Sequence, residues 1–185
     1  VNGAFGAAMI INGNLLVSNG MFGLGGSTHS LRGNLTNNAV LNSGTSLVVF
    51  DGSSAQTISG SGQWTTASSM VNGAFNGVTI NNTSGLVLNS SFALQSALNL
   101  TSGNISGSGT LTLGIGTPST LTAVVTNGTI DPALAMGYNL GLVTYNLSYN
   151  NSTAPYTTSG ELPSLAATPP FSGTMLVNNN QSLTI

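Results

Sequence analysis

The most constraining feature of this sequence is a series of apolar residue pairs whose members lie two positions apart. Val78 and Ile80 form one pair, Leu98 and Leu100 form another, and others occur at residues 86 and 88, 92 and 94, and 111 and 113. This alternation is typical of β-strands, and the Gly, Asn and Ser residues between the pairs are typical of turns. The sequence therefore predicts an all-β fold of short strands. Only residues 133–136 could form a single helical turn.

Two all-β architectures accommodate this pattern, a parallel β-solenoid and a β-sandwich. Only four residues are charged at neutral pH, namely Arg32, Asp51, Asp131 and Glu161. Asn, Ser and Thr side chains stacked in register can form hydrogen-bonded ladders, whereas stacked like charges repel. The scarcity of charge, the short strands and the Asn-Gly turns therefore favour parallel β-solenoid repeats, with β-sandwich repeats as the alternative. The Asn-Gly dipeptides are at residues 2–3, 12–13, 19–20, 72–73, 76–77 and 127–128.

A repeat is visible along the chain. The pentapeptide VNGAF occupies residues 1–5 and again residues 71–75, and a related segment, FSGTMLVNN, occupies residues 171–179. MIINGN at residues 9–14 is likewise similar to VTINN at residues 78–82. These similarities predict a repeat module at residues 1–70, a longer module at residues 71–170, and the start of a further module at residues 171–185. The chain is expected to be an excerpt of a tandem array.

The segment from residue 121 to residue 170 differs from the rest. It contains all four tyrosines, and five of the six prolines lie from Pro132 onward. Alternation through residues 142–149 predicts one longer strand. We interpret the segment as a Tyr/Pro-rich elaboration, either a longer rung of the coil or a hairpin projecting from it. Pro163, Pro169 and Pro170 are expected to end strands or to protect an edge.

Composition argues against several kinds of partner. The net charge is −2 with a single Arg and no Lys, so neither nucleic acid nor an anionic membrane surface is an expected partner. The sequence contains no apolar run of about 18 residues, so no transmembrane helix is expected. The absence of cysteine excludes disulfides and thiolate metal sites. A weakly charged surface favours self-association, or continuation of a tandem array.

The chain offers few candidates for catalysis or metal binding. His29 is the only histidine and is expected to be a turn or surface residue, since a triad or zinc site needs partners that this sequence can hardly supply. Asp51 and Asp131 are expected to form turns. These acids and Glu161 are 80 and 30 residues apart, a weak pattern for calcium or for paired glycosidase carboxylates. We therefore predict no enzyme activity and no catalytic, cofactor-binding or metal residues.

Sugar contacts could involve aromatic residues or sequons. Trp64 and the tyrosines Tyr138, Tyr145, Tyr149 and Tyr156 could stack on surface glycans if exposed together, although core or edge packing is the expected role of each. Sequons are abundant, including those that begin at residues 34, 81, 89, 99, 104, 127, 146 and 151, as chance predicts for a chain rich in Asn, Ser and Thr. The glycine-rich residues 23–26 lack the Lys and the helix of a phosphate loop.

Several segments resemble repeats in giant secreted surface adhesins of Bacteroidota, such as gliding-motility adhesins. They are GNLTNNA at 33–39, VVFDGSSAQTISG at 48–60, FNGVTINN at 75–82, LNLTSGNI at 98–105 and TTSGELP at 157–163. The resemblance implies a β-solenoid stalk or filament on the bacterial cell surface, exported through the type IX pathway.

The expected function is therefore a structural, non-catalytic repeat segment of an extracellular filament or surface adhesin. Stacked rungs would form a stiff stalk or fibre. One alternative is a carbohydrate-binding adhesin or phage-fibre segment, and another is a β-helix polysaccharide-degrading enzyme.

Overall fold

The computed structural model describes residues 6–66, 74–115, 119–139, 143–150, 153–163, 172–178 and 181–185. All regular secondary structure in these ranges is β-strand, which confirms the predicted all-β class. No helix within these ranges has the length and apolarity needed to cross a membrane. Residues 133–136 do not form a helical turn, because the Leu134 amide donates to the Asp131 carbonyl oxygen in a tight turn and a strand follows directly.

Nineteen strands are described, and all but two have eight residues or fewer. In chain order they are β1 (Ile10–Ile11), β2 (Leu15–Val17), β3 (Met21–Gly23), β4 (Thr28–Leu31), β5 (Leu35–Asn37), β6 (Val40–Asn42), β7 (Leu47–Phe50), β8 (Gln56–Ser59), β9 (Gln63–Thr65), β10 (Ala74–Asn81), β11 (Leu86–Leu88), β12 (Phe92–Gly107), β13 (Thr110–Leu113), β14 (Ser119–Ile130), β15 (Ala135–Tyr138), β16 (Val143–Asn150), β17 (Tyr156–Thr157), β18 (Met175–Asn178) and β19 (Leu183–Thr184).

The described strands pair only in parallel, because the chain winds as a coil and returns to the same side after each rung. Face 1 is the ladder β1-β4-β7-β10-β12-β14-β16-β18, and face 2 is the ladder β2-β5-β8-β11-β12. Shorter ladders, β3-β6-β9, β12-β13-β15 and β17-β19, complete the coil. The architecture is β-solenoid-like. The antiparallel pairing of a β-sandwich does not occur among these strands.

Each passage through face 1 starts a new rung, so the eight strands of face 1 define rungs 1 to 8. Rung length varies: 19 residues separate the paired Thr28 and Leu47, whereas 30 residues separate Leu47 and Gly77. The difference lies in the segments that connect the faces, since the strands of face 1 keep their register. Residues 67–73, outside the described ranges, fall in this longer rung.

Columns of inward-facing side chains form the core. Strand register places eight residues in one column along face 1, in the order Ile11, Leu31, Phe50, Ile80, Leu100, Val125, Tyr149 and Val177. The six inner members are each at most 2% exposed. Burying one large apolar side chain contributes roughly 1.5–3 kcal/mol relative to exposure. Each inner rung is therefore stabilised by packing against the rungs on both sides of it.

The segments that are similar in sequence occupy equivalent places on face 1. Ile11, Ile80 and Val177 belong to the same inward column, although they come from rungs 1, 4 and 8. Most of the repeated pentapeptide, at residues 1–5 and 71–73, lies outside the described residues, whereas Ala74 and Phe75 are buried. The module boundaries after residues 70 and 170 stay a prediction.

Buried amides close the corner between faces 1 and 2. Gln56 is 1% exposed, and its Nε2 donates to the carbonyl oxygens of Leu31 and Gly33 in the preceding rung at 2.8 and 2.6 Å. Its Oε1 accepts from the Gly52 amide at 2.9 Å and from Nδ2 of Asn82, in the following rung, at 3.0 Å. Because the Gln56 side-chain amide has four hydrogen-bond partners, its burial does not carry the free-energy cost of an unpaired amide. One side chain thus connects three successive rungs.

Hydroxyl and amide groups also pair between rungs on the outer surface of the coil. Asn99 Nδ2 donates to Thr79 Oγ1 at 2.9 Å, and these two residues are partners in the register of face 1. Thr129 Oγ1 donates to Asn104 Oδ1 at 3.0 Å, again between register partners. Neutral side chains therefore do stack along the coil axis, as the composition predicts.

Two turn predictions are wrong. Asn76 and Gly77 lie within β10, where a register shift marks a bulge, and Asn127 and Gly128 lie within β14. The dipeptides at residues 12–13 and 19–20 do lie between strands. The segment from residue 121 onward does not project as a hairpin, because β14 and β16 pair in parallel within face 1. Its described part forms longer rungs of the same coil.

Candidate functional site

The tyrosine–Glu161 cluster comprises Glu161 and the four tyrosines, which belong to β15, β16 and β17. Glu161 is fully buried, and its Oε1 accepts from the Tyr149 hydroxyl at 3.1 Å and from the Ser159 amide at 2.9 Å. Its Oε2 accepts from the Ser159 hydroxyl. The Tyr145 hydroxyl donates to the Glu161 carbonyl oxygen, and the Tyr138 hydroxyl donates to the Gly160 carbonyl oxygen at 2.8 Å. The loop at residues 159–161 is thus held inside rungs 6 and 7.

Burial raises the pKa of each of the four tyrosines, and the negative charge of Glu161 raises it further. Tyr145 and Tyr149 are at most 1% exposed, and Tyr149 also donates a hydrogen bond to the carboxylate. Removing a proton from these phenols would place a second negative charge beside Glu161 in a poorly solvated site. The tyrosines therefore stay neutral and act as hydrogen-bond donors.

The contacts of the tyrosine–Glu161 cluster suit it to a structural role. The only Lys or Arg in the chain, Arg32, lies in rung 2 beside Asp51, so no cationic side chain of this chain compensates Glu161. Its carboxylate is satisfied by hydroxyl and amide donors, and it is closed to solvent. Sequence reasoning missed this cluster. The signal was the spacing of all four tyrosines within about one rung of Glu161.

His29 is not the turn or surface residue that was expected. It lies in β4 and is 1% exposed. Its Nδ1 accepts from the Met9 amide at 3.2 Å, and its Nε2–H donates to the Leu24 carbonyl oxygen at 2.9 Å. Both ring nitrogens are bonded to backbone, which fits the neutral Nε2–H tautomer. The side chain acts as a connection between rungs 1 and 2.

The remaining carboxylates lie apart. Asp51 follows β7, and the Ser30 hydroxyl donates one hydrogen bond that is shared between the two carboxylate oxygens of Asp51, at 2.7 and 2.8 Å, with Arg32 Nε 3.9 Å away. Asp131 forms the predicted turn and accepts from the Ala133 amide at 2.8 Å. Within the described ranges, no three metal-ligating side chains come together.

The aromatic side chains proposed for sugar stacking are mostly inside the coil. Trp64 is 3% exposed and packs against Phe75 and Phe92, with ring centroids 5.9 Å away from each. Tyr145, Tyr149 and Tyr156 are buried, and Tyr138 is half-buried. Their expected role in core packing is confirmed, so sugar stacking would have to use other groups.

Most sequon asparagines take part in the contacts between rungs. Six of the eight named above hold a hydrogen bond through the side-chain amide, namely Asn34, Asn81, Asn99, Asn104, Asn127 and Asn146. Asn89 is exposed between β11 and β12, and residue 151 lies outside the described ranges. The glycine-rich residues 23–26 form a corner in which Leu24 is buried and Gly25 accepts from the Thr45 amide.

An open groove of about 350 Å³ crosses rungs 5 to 7. Five of its eight lining residues carry neutral polar side chains, although most of the lining surface is apolar. The lining residues are Asn104, Thr129, Ile130, Asp131, Pro132, Thr157, Thr158 and Ser159. Asp131 is the one carboxylate in this lining. The groove therefore lacks the facing pair of carboxylates that glycoside hydrolysis commonly uses.

Comparison with protein-family models, with curated proteins and with solved structures gave no match to this chain.

Proposed function

We propose that the chain is a structural, non-catalytic segment of an extracellular filament or bacterial surface adhesin, in which stacked rungs form a stiff stalk. The observation that carries the proposal is the inward column of face 1, which runs in register from Ile11 to Val177. A rod of this kind resists bending because each rung is bound to the next by backbone ladders, apolar packing and side-chain hydrogen bonds. Repeat modules, export by the type IX pathway and an origin in Bacteroidota belong to the same proposal and are supported by the sequence resemblance alone.

The proposal is tested on the native protein. Antibodies raised against this chain should label intact cells, and electron microscopy of the labelled particles should show thin rods or fibres. Protease treatment of intact cells should remove the signal. Labelling that appears only after the cells are permeabilised, or particles that are globular, would contradict the proposal.

A second candidate function is glycan binding by an adhesin, which the groove across rungs 5 to 7 favours. Asn104 and Asp131 offer an amide and a carboxylate to a polyhydroxylated ligand, and the lining contains no cation. Saturable binding on a glycan array that is lost in Asp131→Ala and retained in Asp51→Ala would support it. Binding that both variants retain equally would exclude the groove.

A further inference from the structure

The parallel ladder of face 2 is interrupted inside the coil, at the groove across rungs 5 to 7. This ladder continues from β12 into β14, where residues 102–105 pair with residues 127–130. The next strand on this side of the coil, β17, pairs with β19 and not with β14. Rungs 6 and 7 nevertheless stay paired on face 1 through β14 and β16, and β19 covers the other side of β17. The interruption is therefore a property of two inner rungs.

Side chains join the two rungs where the backbone ladder is interrupted. The Tyr156 hydroxyl donates to the Gly128 carbonyl oxygen at 3.0 Å, and the Ile130 amide donates to Ser159 Oγ at 3.3 Å. Neither contact uses the backbone of β17. The two strands therefore lie beside each other without satisfying each other's backbone groups.

β17 presents unpaired backbone groups to the groove. The amides of Tyr156 and Thr158 donate to carbonyl oxygens of rung 8, both at 2.9 Å. Since alternate residues of a strand direct their N–H and C=O groups to opposite sides, those of Thr157 point toward rung 6. Thr157 is exposed and lines the groove. Among the described residues, neither of its two backbone groups has a hydrogen-bond partner.

β14 presents an acceptor from the opposite side of the groove. The Asp131 amide donates to the Ile105 carbonyl oxygen at 2.8 Å, so the backbone groups of Ile130 point toward rung 7. The Ile130 amide is bonded to Ser159, whereas its carbonyl oxygen has no donor in the part of the chain that the structure describes. One acceptor from β14, together with a donor and an acceptor from β17, thus belongs to a single groove.

The groove also carries one uncompensated negative charge. Asp131 is the one charged residue of its lining, and its Oδ1 accepts from the Ala133 amide at 2.8 Å. The only Lys or Arg of the chain, Arg32, lies beside Asp51 instead. Charge complementarity therefore favours a ligand with a positive charge over an anionic one.

These features fit an extended peptide better than a sugar. A peptide strand directs N–H and C=O groups to one side at every second residue, which is how peptides add to an exposed sheet edge. A neutral sugar has no positive charge to place beside Asp131. Pro132 lies just beyond the end of β14 and Pro155 just before β17, and proline cannot donate to a ladder. The site is therefore only a few residues long.

We propose that the groove across rungs 5 to 7 binds a short, extended peptide segment that carries a basic side chain. The segment pairs with the backbone of Thr157 and Ile130 and places its Lys or Arg beside Asp131. Because most of the lining surface is apolar, small apolar residues on both sides of the basic residue pack against it. The inference goes beyond the structural role, since it gives the stalk a docking site for another polypeptide.

A titration followed by heteronuclear NMR tests the inference. The probe is the blocked pentapeptide TVKVT, in which small β-branched residues flank a lysine. We expect saturable shifts of amide signals, largest for residues 129–131, 157 and 158, with a Kd on the order of 0.1–1 mM for so short a contact. TVEVT, which places a carboxylate beside Asp131, should bind at least about fivefold more weakly. TPKPT, which lacks two backbone donors, should not bind measurably.

Two pairs of variants identify the contacts. Thr157→Pro removes the amide that points into the groove but leaves the bonds from β17 to rung 8, whereas Thr157→Val keeps that amide. The proline variant should weaken TVKVT binding at least about fivefold, and the valine variant should bind normally. Asp131→Asn keeps the acceptor for Ala133 and should weaken TVKVT binding about threefold, with Asp51→Asn as its control. The amide spectrum of each free variant shows whether it is folded.

The inference is overturned if TVKVT and TPKPT bind equally, or if TVKVT causes no saturable shift at the groove. Shifts at the groove caused by a neutral oligosaccharide such as cellopentaose, with none caused by TVKVT, would assign the groove to glycans instead, as in the second candidate function. None of these results would change the proposed structural role, which is decided by the shape and location of the native particle. The two proposals can therefore fail separately.

Discussion

Between rungs 2 and 4, the buried polar groups at a corner of the coil are neutral amides, whereas in rungs 6 and 7 they are phenols gathered around a carboxylate. Gln56 and Asn82 bond to each other and to backbone groups along the axis. Tyr145 and Tyr149 instead bond to one loop residue, Glu161, from a single strand. The amide corner repeats the coil's own axial hydrogen bonding, while the phenol cluster fastens a connecting segment inside the coil.

The difference has a physical consequence. Amides do not titrate, so a corner built from them contributes the same stability at any pH near neutrality or above it. A phenol cluster around a carboxylate is stable only while the phenols hold their protons. The two regions should therefore respond differently to base, although both bury polar groups with full hydrogen bonding.

Alkaline pH is expected to produce the largest effect. The tyrosine pKa values are raised in the folded chain, so their stabilising contribution is complete below about pH 10 and is lost as the pH rises above the unfolded value. Each buried phenol then lowers the free energy of unfolding by about 1.4 kcal/mol per pH unit. Tyr145, Tyr149 and Tyr156 together give about 4 kcal/mol per unit. Urea denaturation at about pH 9 and about pH 11 measures the slope, and Tyr149→Phe should remove about one third of it.

Hydrogen exchange locates the same effect. All four tyrosines lie in rungs 6 and 7, so the amides of β14 to β17 should lose protection first above about pH 10. The amides of β4 to β8 should keep theirs. Simultaneous loss of protection in both regions would show that the whole coil unfolds as one unit. The sensitivity to base would then not be confined to the region that contains the tyrosines.

Glu161→Ala is expected to destabilise the chain by about 3 kcal/mol, because it leaves the buried Tyr149 hydroxyl and the half-buried donors of Ser159 without an acceptor. Glu161→Gln keeps one acceptor oxygen and should cost only about 1 kcal/mol. It also removes the negative charge, which lowers the folded pKa of the tyrosines, so the alkaline loss of stability should still begin at about pH 10 but should level off at a lower pH and be smaller in total. Chemical denaturation near neutral pH measures both variants. An alanine variant as stable as the unmodified chain would show that the hydrogen bonds of this carboxylate contribute nothing net.

Much of the coil could be predicted from sequence, because alternation directly reflects inward and outward positions. The pairs Val78/Ile80 and Leu98/Leu100 lie in β10 and β12 with both members buried. The position of Asn127-Gly128 inside a strand could not be predicted from the sequence. Such a dipeptide can end a strand or bend within one, and the neighbouring rungs decide between the two.

The candidate site was harder to predict than the fold. The sequence offers Glu161 only the distant Asp51 and Asp131 as acidic partners, and nothing in its local sequence indicates that tyrosine hydroxyls surround it. Tyr145 and Tyr149 of β16 bond to Glu161 and Tyr138 of β15 bonds to Gly160, and only the register of the coil brings these hydroxyls to one loop. His29 was misplaced for a similar reason, since nothing in its local sequence shows that the Met9 amide lies opposite it.

Gln56→Leu tests the amide corner. It removes both donors and the acceptor from a buried site, so that the Gly33 carbonyl and the Gly52 amide lose their side-chain partner, whereas the Leu31 carbonyl keeps the Asp51 amide. The expected loss is about 2–3 kcal/mol. Gln63→Leu, at an exposed position of β9, is the matched control and should change stability by less than about 0.5 kcal/mol. The loss for Gln56→Leu should be equal at about pH 9 and about pH 11, across the range in which the unfolded tyrosines titrate. Any dependence on pH in this range would contradict the distinction between the two regions.

Asn99→Ala is expected to have the smallest effect. The bond from its Nδ2 to Thr79 lies on the outer surface of face 1, where water can replace either partner. A loss of about 0.5 kcal/mol is expected in urea denaturation, against no measurable loss for Asn89→Ala, which lies outside the ladder. A loss as large as that of Gln56→Leu would mean that the outer ladder, and not the buried corner, is what holds successive rungs together. The coil would then be stabilised mainly from its surface, and the contrast between amide and phenol would be secondary.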